Sequence, residues 1–217
     1  MNSRMLSFTR GSLLMLLILM VSHNIYATPK TKKVLIVLNE GYRPEEYFEP
    51  RKTFDKAGFS VVIAGKYLGN ILPSRPHIKE VPPIAADTTF DKVSVREFDA
   101  IVFVGGTGAW SDFLPNKNIH KILIEAIHLE KVVGLICAAT GLLATSDNLD
   151  GSTPQFKGRH VTGYFEVEGI LKLVGQTRFD SGKPGKAFVV SDGNLITGRD
   201  PISAKLFGER IRDTLLK

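Results

Sequence analysis

The sequence has a single cysteine, Cys137, among 217 residues. One thiol cannot close an internal disulfide, so a disulfide-stapled fold is excluded. It has no apolar run of membrane-spanning length: the longest, Leu13 to Val21, is about half of the ~20 residues a span needs. It has no histidine, cysteine and carboxylate cluster at ligand spacing, which leaves no basis for a metal site, and no phosphate-cradling motif or other cofactor signature. Internal repeats and a second domain are absent. Basic residues exceed acidic ones only mildly and lie scattered, without the aromatic interleaving of a single-strand binder, so a solvated surface is expected and nucleic acid is not an expected partner.

What is present begins with a leader. Arg4 and Arg10 precede the apolar run, and polar Ser22-His23-Asn24 with the small Ala27 follow it. This is the layout of a signal peptide over residues 1–27, with a mature chain from Thr28. A retained anchor is the alternative. Cleavage lowers the formal net charge from +6 to +4 and leaves an exported, periplasmic or secreted protein with no membrane contact. No cysteine stands at the boundary to carry a lipid.

With 43% hydrophobic and 23% charged residues, 28–217 read as one globular domain. Val34 to Leu38, Phe59 to Ala64, Ala100 to Val104 and Val132 to Ile136 are short β-branched-rich runs, the signature of strands buried on both faces. Helical spacing runs from Glu45 to Ala57, stopped by Gly58, and from Asn116 to Glu130, where Ile119, Ile122, Leu123, Ala126 and Ile127 form one stripe. Residues 65–95 hold four prolines and read as loops with short strands. Ser191-Asp192-Gly193 marks a hairpin turn, and 201–216 a closing helix. Strands alternating with helices define an α/β class with a doubly wound, flavodoxin-like, mostly parallel sheet.

Ligands bind such sheets beyond the carboxyl ends of the strands. Three features fall there: Glu46 after the first strand, Gly105-Gly106 after the third, and Cys137 after the fourth. A residue squeezed between a buried strand and a helix is projected on a tight turn, a nucleophile elbow. The helix N-terminus is expected to lower the thiol pKa there. A small buried hydrophobe is the other reading of Cys137. The glycine pair lets backbone approach the sulfur, so the N–H groups of Gly106 and Ala138 could hold an oxyanion, although an ordinary tight turn explains the glycines equally well. A Glu46 carboxyl at the adjacent strand end could hydrogen-bond the sulfur.

Four segments carry a resemblance: Val34–Leu38 with Glu46, Pro50 and Lys56-Ala57-Gly58; Thr89–Val93 leading to Phe98-Asp99-Ala100 and Gly105-Gly106; Gly134–Ala138; and Asp192–Arg199. In this order they resemble the ThiJ/PfpI family, within the class I glutamine amidotransferase-like fold. The resemblance implies a nucleophilic or redox-active Cys137, a protonated Glu46 against it, oxyanion donors at Gly106 and Ala138, and a homodimer. It implies glyoxalase, deglycase, peptidase or chaperone activity. Tyr164, Thr107 and Arg199 are candidate pocket residues. The family's usual histidine directly after the cysteine is Ala138 here, and the position of its alternative on the His160–Tyr164 strand is Tyr164; His160 is offset. His77, His120 and His128 are expected at the surface. Without a Cys–His dyad, peptidase chemistry is disfavoured, and the expected partner is a small carbonyl or amide-type substrate or an oxidant. A non-catalytic oxidant sensor or holdase, or a module with a vestigial pocket, are the competing readings.

Overall fold

The structure, a computed structural model, describes residues 31–74, 81–146 and 154–217. The expected signal peptide and His77 lie outside the described residues. Residues 31–217 form one compact unit.

The β-branched runs become strands as expected. In chain order they are β1 (Lys33–Val37), β2 (Ser60–Gly65), β3 (Gly69–Ile71), β4 (Ile84–Ala86), β5 (Thr88–Thr89), β6 (Ala100–Phe103), β7 (Val132–Ile136), β8 (His160–Val161), β9 (Arg178–Phe179), β10 (Val189–Asp192) and β11 (Leu195–Gly198). Seven of them make the central sheet, in the order β10-β11-β7-β6-β1-β2-β5. All its pairings are parallel except the β10–β11 hairpin, which turns at Gly193 with φ +59°. Two small sheets, β3–β4 and β8–β9, fill the region of prolines and the loop after the elbow.

The helices are α1 (Pro44–Lys56), α2 (Lys117–His128), α3 (Leu142–Thr145), α4 (Glu168–Leu173) and α5 (Ala204–Leu215). Pro44 opens α1, where its missing N–H costs nothing. Asn116 caps α2 by accepting from the Asn118 N–H at 3.0 Å. The closing helix is split: Asp200 accepts from the Ser203 N–H and hydroxyl, holding 201–203 in a 3-10 turn before α5 begins.

Every residue of β6 and β7 is buried, which is why their sequences show no alternation. β7 lies between α5 and α2. Gly134 provides the room: a Cβ there would stand 2.6 Å from Ile211 Cδ1 and 2.8 Å from Phe207 Cζ of α5. Gly208 does the same where α5 crosses α1, with Pro50 Cα only 2.7 Å from where its Cβ would be.

In the strand order, β6 and β7 lie to one side of β1 and β2 to the other. The reversal of winding therefore falls at β1 and β6, so the carboxyl ends of β1, β6 and β7 open on the crevice where α/β sheets bind ligands.

Candidate active site

The turn after β7 is backbone under constraint. Cys137 has φ +59°, the left-handed region that residues with a Cβ avoid, at a cost of order 1–3 kcal/mol. The surroundings hold it there. Its carbonyl accepts from the Thr140 hydroxyl at 2.7 Å and the Tyr164 N–H at 3.3 Å, tying the elbow to the loop that follows β8.

Gly105 and Gly106 complete the opposing wall. Asn39, buried at the end of β1, donates through Nδ2 to the carbonyls of Val104 at 2.8 Å and Gly105 at 3.2 Å. Gly106 has φ +118°, and a Cβ on it would stand 2.3 Å from the Gly41 carbonyl oxygen. A Cβ on Gly105 would stand 2.6 Å from Glu46 Oε2 and 2.8 Å from Cys137 Cβ. These glycines are required by close approach, beyond the needs of an ordinary turn.

The structure brings Glu46 and Cys137 together. Glu46 projects from the first turn of α1 and is fully buried, and Cys137 is 7% exposed. Neither carboxyl oxygen finds a well-aligned hydrogen bond; the Cys137 thiol and the Gly105 N–H are the polar groups that act on it. Burial pushes the Glu46 carboxyl up to about 8, overcoming the lowering effects of the thiol and the Arg43 charge, so it holds its proton at neutral pH.

The expected low-pKa thiolate is corrected. Burial pushes the Cys137 thiol up, and the Glu46 carboxyl raises it further; the Ala138 N–H opposes both and does not win. The reason is structural. Residues 137–141 form a 3-10 turn leading into the four-residue α3, all of it short and most of it buried, so there is little macrodipole to offset desolvation. The two groups act as one unit that releases its first proton reluctantly.

Sulfur and glycines form the floor of a cleft of about 340 Å³, lined by Arg43, Ser74, Gly106, Thr107, Trp110, Cys137, Ala138, Tyr164, Glu166 and Pro201. Thr107, Tyr164, Gly106 and Ala138 are all among the lining residues. The Gly106 N–H donates to no acceptor among the described residues, which leaves it free for a ligand. Burial and the charge of Glu166 push the Tyr164 hydroxyl up, so it stays a donor.

Arg199 does not reach this cleft. It pairs with Asp200 at 2.9 Å and donates to the carbonyls of Ser181, Lys183 and Lys186, clasping that loop beside a neighbouring cavity that Tyr164 also lines. No histidine lines the cleft among the described residues. His120, expected at the surface, is buried at the α2 face, where burial lowers its pKa, because the helix turns it toward Thr145. His128 is exposed beside Gln155, and His160 lies 3.7 Å from Asp180. Among the described residues no group of acidic, histidine or cysteine side chains is placed to hold a metal ion, and no helix is long and apolar enough to cross a membrane.

Arg43, Trp110 and Glu166 lie on the loops Tyr42–Pro44, Gly108–Phe113 and Gly163–Glu168, which the sequence marks as shaping the pocket; Ser74 and Pro201 escaped the sequence reading.

A doubly wound sheet carrying a strained cysteine elbow over a buried carboxyl defines an elbow-thiol α/β protein. The chain belongs to the DJ-1/PfpI family, whose profile matches residues 32–214. It is 31% identical over 191 residues to an uncharacterized protein of Methanocaldococcus jannaschii, covering 87% of this chain and 84% of that one. It is 25% identical over 172 residues to protein/nucleic acid deglycase 2 of Escherichia coli, covering 79% and 90%. Among solved structures, a ThiJ/PfpI domain protein of Brachyspira murdochii superposes with a TM-score of 0.74 at 25% identity, covering 86% and 98%.

Proposed function

We propose that this chain is a thiol-dependent enzyme that converts small 2-oxoaldehydes to 2-hydroxy acids. The observation that carries the reading is the placement of Cys137, held at φ +59° on the floor of a small cleft with a protonated Glu46 behind it. A deglycase among the relatives supports carbonyl chemistry.

Attack of Sγ on the aldehyde carbon forms a C–S bond and sends the carbonyl π pair to oxygen. The thiol proton, relayed through the Glu46 carboxyl, ends on that oxygen, so the step needs no free thiolate and expels no leaving group. The Gly106 and Ala138 N–H groups receive the oxygen as its charge develops. In the fraction of molecules with Glu46 ionised, its carboxylate moves the C1 proton to C2 while the C1 hydroxyl proton passes to the C2 oxygen. The product of this isomerisation is a thioester; water hydrolyses it, releasing the 2-hydroxy acid and restoring the thiol. Amide cleavage would require protonating an amine, and no histidine lines the cleft among the described residues to do so.

The test is turnover. Reduced mature protein should convert methylglyoxal to lactate, and Cys137→Ala should show no rate above buffer. Equal rates for the two proteins would end the enzyme reading in favour of an oxidant sensor or holdase, for which a cleft of this volume has no evident use. The proposal extends to compartment: the leader of residues 1–27 directs export, and Edman sequencing of protein from its native source should begin near Thr28. An intact Met1 would refute that part.

A further inference from the structure

We infer that Arg43 makes the Cys137 cleft selective for carbonyl compounds that carry a carboxylate. The inference refines the dicarbonyl reading above by naming its substrate class.

Arg43 is the residue before α1, and its backbone is pinned: its N–H donates to the Gly105 carbonyl at 3.2 Å, across from the glycine wall. Pro44 fixes the chain direction after it. Its side chain lines the same cleft as Cys137, and among the described residues it is the only cation of the lining. Its charge acts on both the Glu46 carboxyl behind the sulfur and the Tyr164 hydroxyl at the wall.

The guanidinium is committed on one side only: Nε forms an ion pair with a half-exposed Glu45 carboxylate oxygen at 3.1 Å, without an aligned hydrogen bond. The terminal nitrogens have no acceptor among the described residues. A planar fork with free donors, on a side chain only 30% exposed, is the group that binds a carboxylate bidentately. Glu166, the anionic residue of the lining, is exposed at the rim, where solvent screens it. Glu46 is neutral. A short oxo acid can therefore place its carbonyl at Sγ and its carboxylate on the terminal guanidinium nitrogens of Arg43.

Alkylation of Cys137 by iodoacetate and by iodoacetamide reads this charge without depending on turnover. The two reagents match in size and differ in charge. Relative to a free cysteine peptide, the parent protein should favour iodoacetate at least about tenfold, Arg43→Gln should abolish the preference, and Arg43→Lys should keep part of it, since a lysine retains the charge but not the fork. A parent ratio no higher than the peptide's, an unchanged ratio in Arg43→Gln, or no reaction with either reagent would overturn the inference. With 4,5-dioxopentanoate and neutral 2-oxopentanal as substrates, Arg43→Gln should raise KM for the first alone. If methylglyoxal is turned over but this alkylation preference is missing, the enzyme reading stands and the charge selection fails; the reverse outcome keeps a carboxylate-binding cleft without the chemistry.

Discussion

Glu46→Gln should stabilise the protein increasingly as pH rises from 4.5 to 8. A carboxyl whose folded pKa lies above its unfolded one binds more protons folded than unfolded. Its contribution is therefore neutral below the unfolded value of 4.5 and grows more unfavourable until the folded value of about 8 is passed. Two and a half units, from 4.5 to 7, correspond to about 3 kcal/mol at 1.36 kcal/mol per unit, and Glu46 is fully buried, so solvent does not screen the effect. Glutamine keeps the shape and removes the titration. Urea unfolding of both proteins at several pH values should show their stability difference widening by about that amount between pH 4.5 and 7. A constant difference would mean that Glu46 ionises normally, and the relay proposed for it would lose its proton. The same variant should lose about 10²-fold or more in 2-oxoaldehyde turnover, because an amide cannot pass a proton on.

Replacing Gly106 should be costly for a different reason. An alanine Cβ would stand 2.3 Å from the Gly41 carbonyl oxygen and 2.7 Å from the Arg43 nitrogen, both backbone atoms that no rotamer change can move, and φ +118° adds strain. We expect Gly106→Ala to lose about 2–4 kcal/mol of stability in chemical denaturation. Any folded fraction should lose at least about 10²-fold in turnover as the N–H is displaced. Gly58→Ala supplies the control: φ is +73° there but nothing lies within 4 Å, so only the backbone penalty of about 1 kcal/mol should appear. Equal losses at the two positions would show that strain alone governs Gly106.

These two positions also mark what sequence could convey. Buried strands are legible because burial on both faces forces continuous apolar runs, and Val132–Ile136 leading to Cys137 announces the elbow. The loops that border the cleft are legible by position, but their conformations, and so the side chains they present, are not. Trp110 sits on a single π-helical turn, and Pro201 enters from the start of the split closing helix. The direction of the thiol's pKa is not legible, because sequence reveals the turn but not how short and enclosed the following helix is. Arg199 lines the neighbouring cavity rather than the Cys137 cleft, a distinction that depends on how the loop of residues 181–186 folds over it.

The strand order bears on how the chain acquires its structure. β1, the first strand of the sheet, is a central one, and its neighbour β6 lies more than sixty residues later; β7 must likewise wait for β11. Contacts this distant in sequence make for slow folding, on the millisecond-to-second scale, because loop closure costs entropy before any pairing rewards it. α5, which packs on α1, β7 and β11, follows all of them in the chain. A nascent chain still lacking it would leave Gly134 and Pro50 uncovered, so this part of the native core closes only after α5 has left the ribosome.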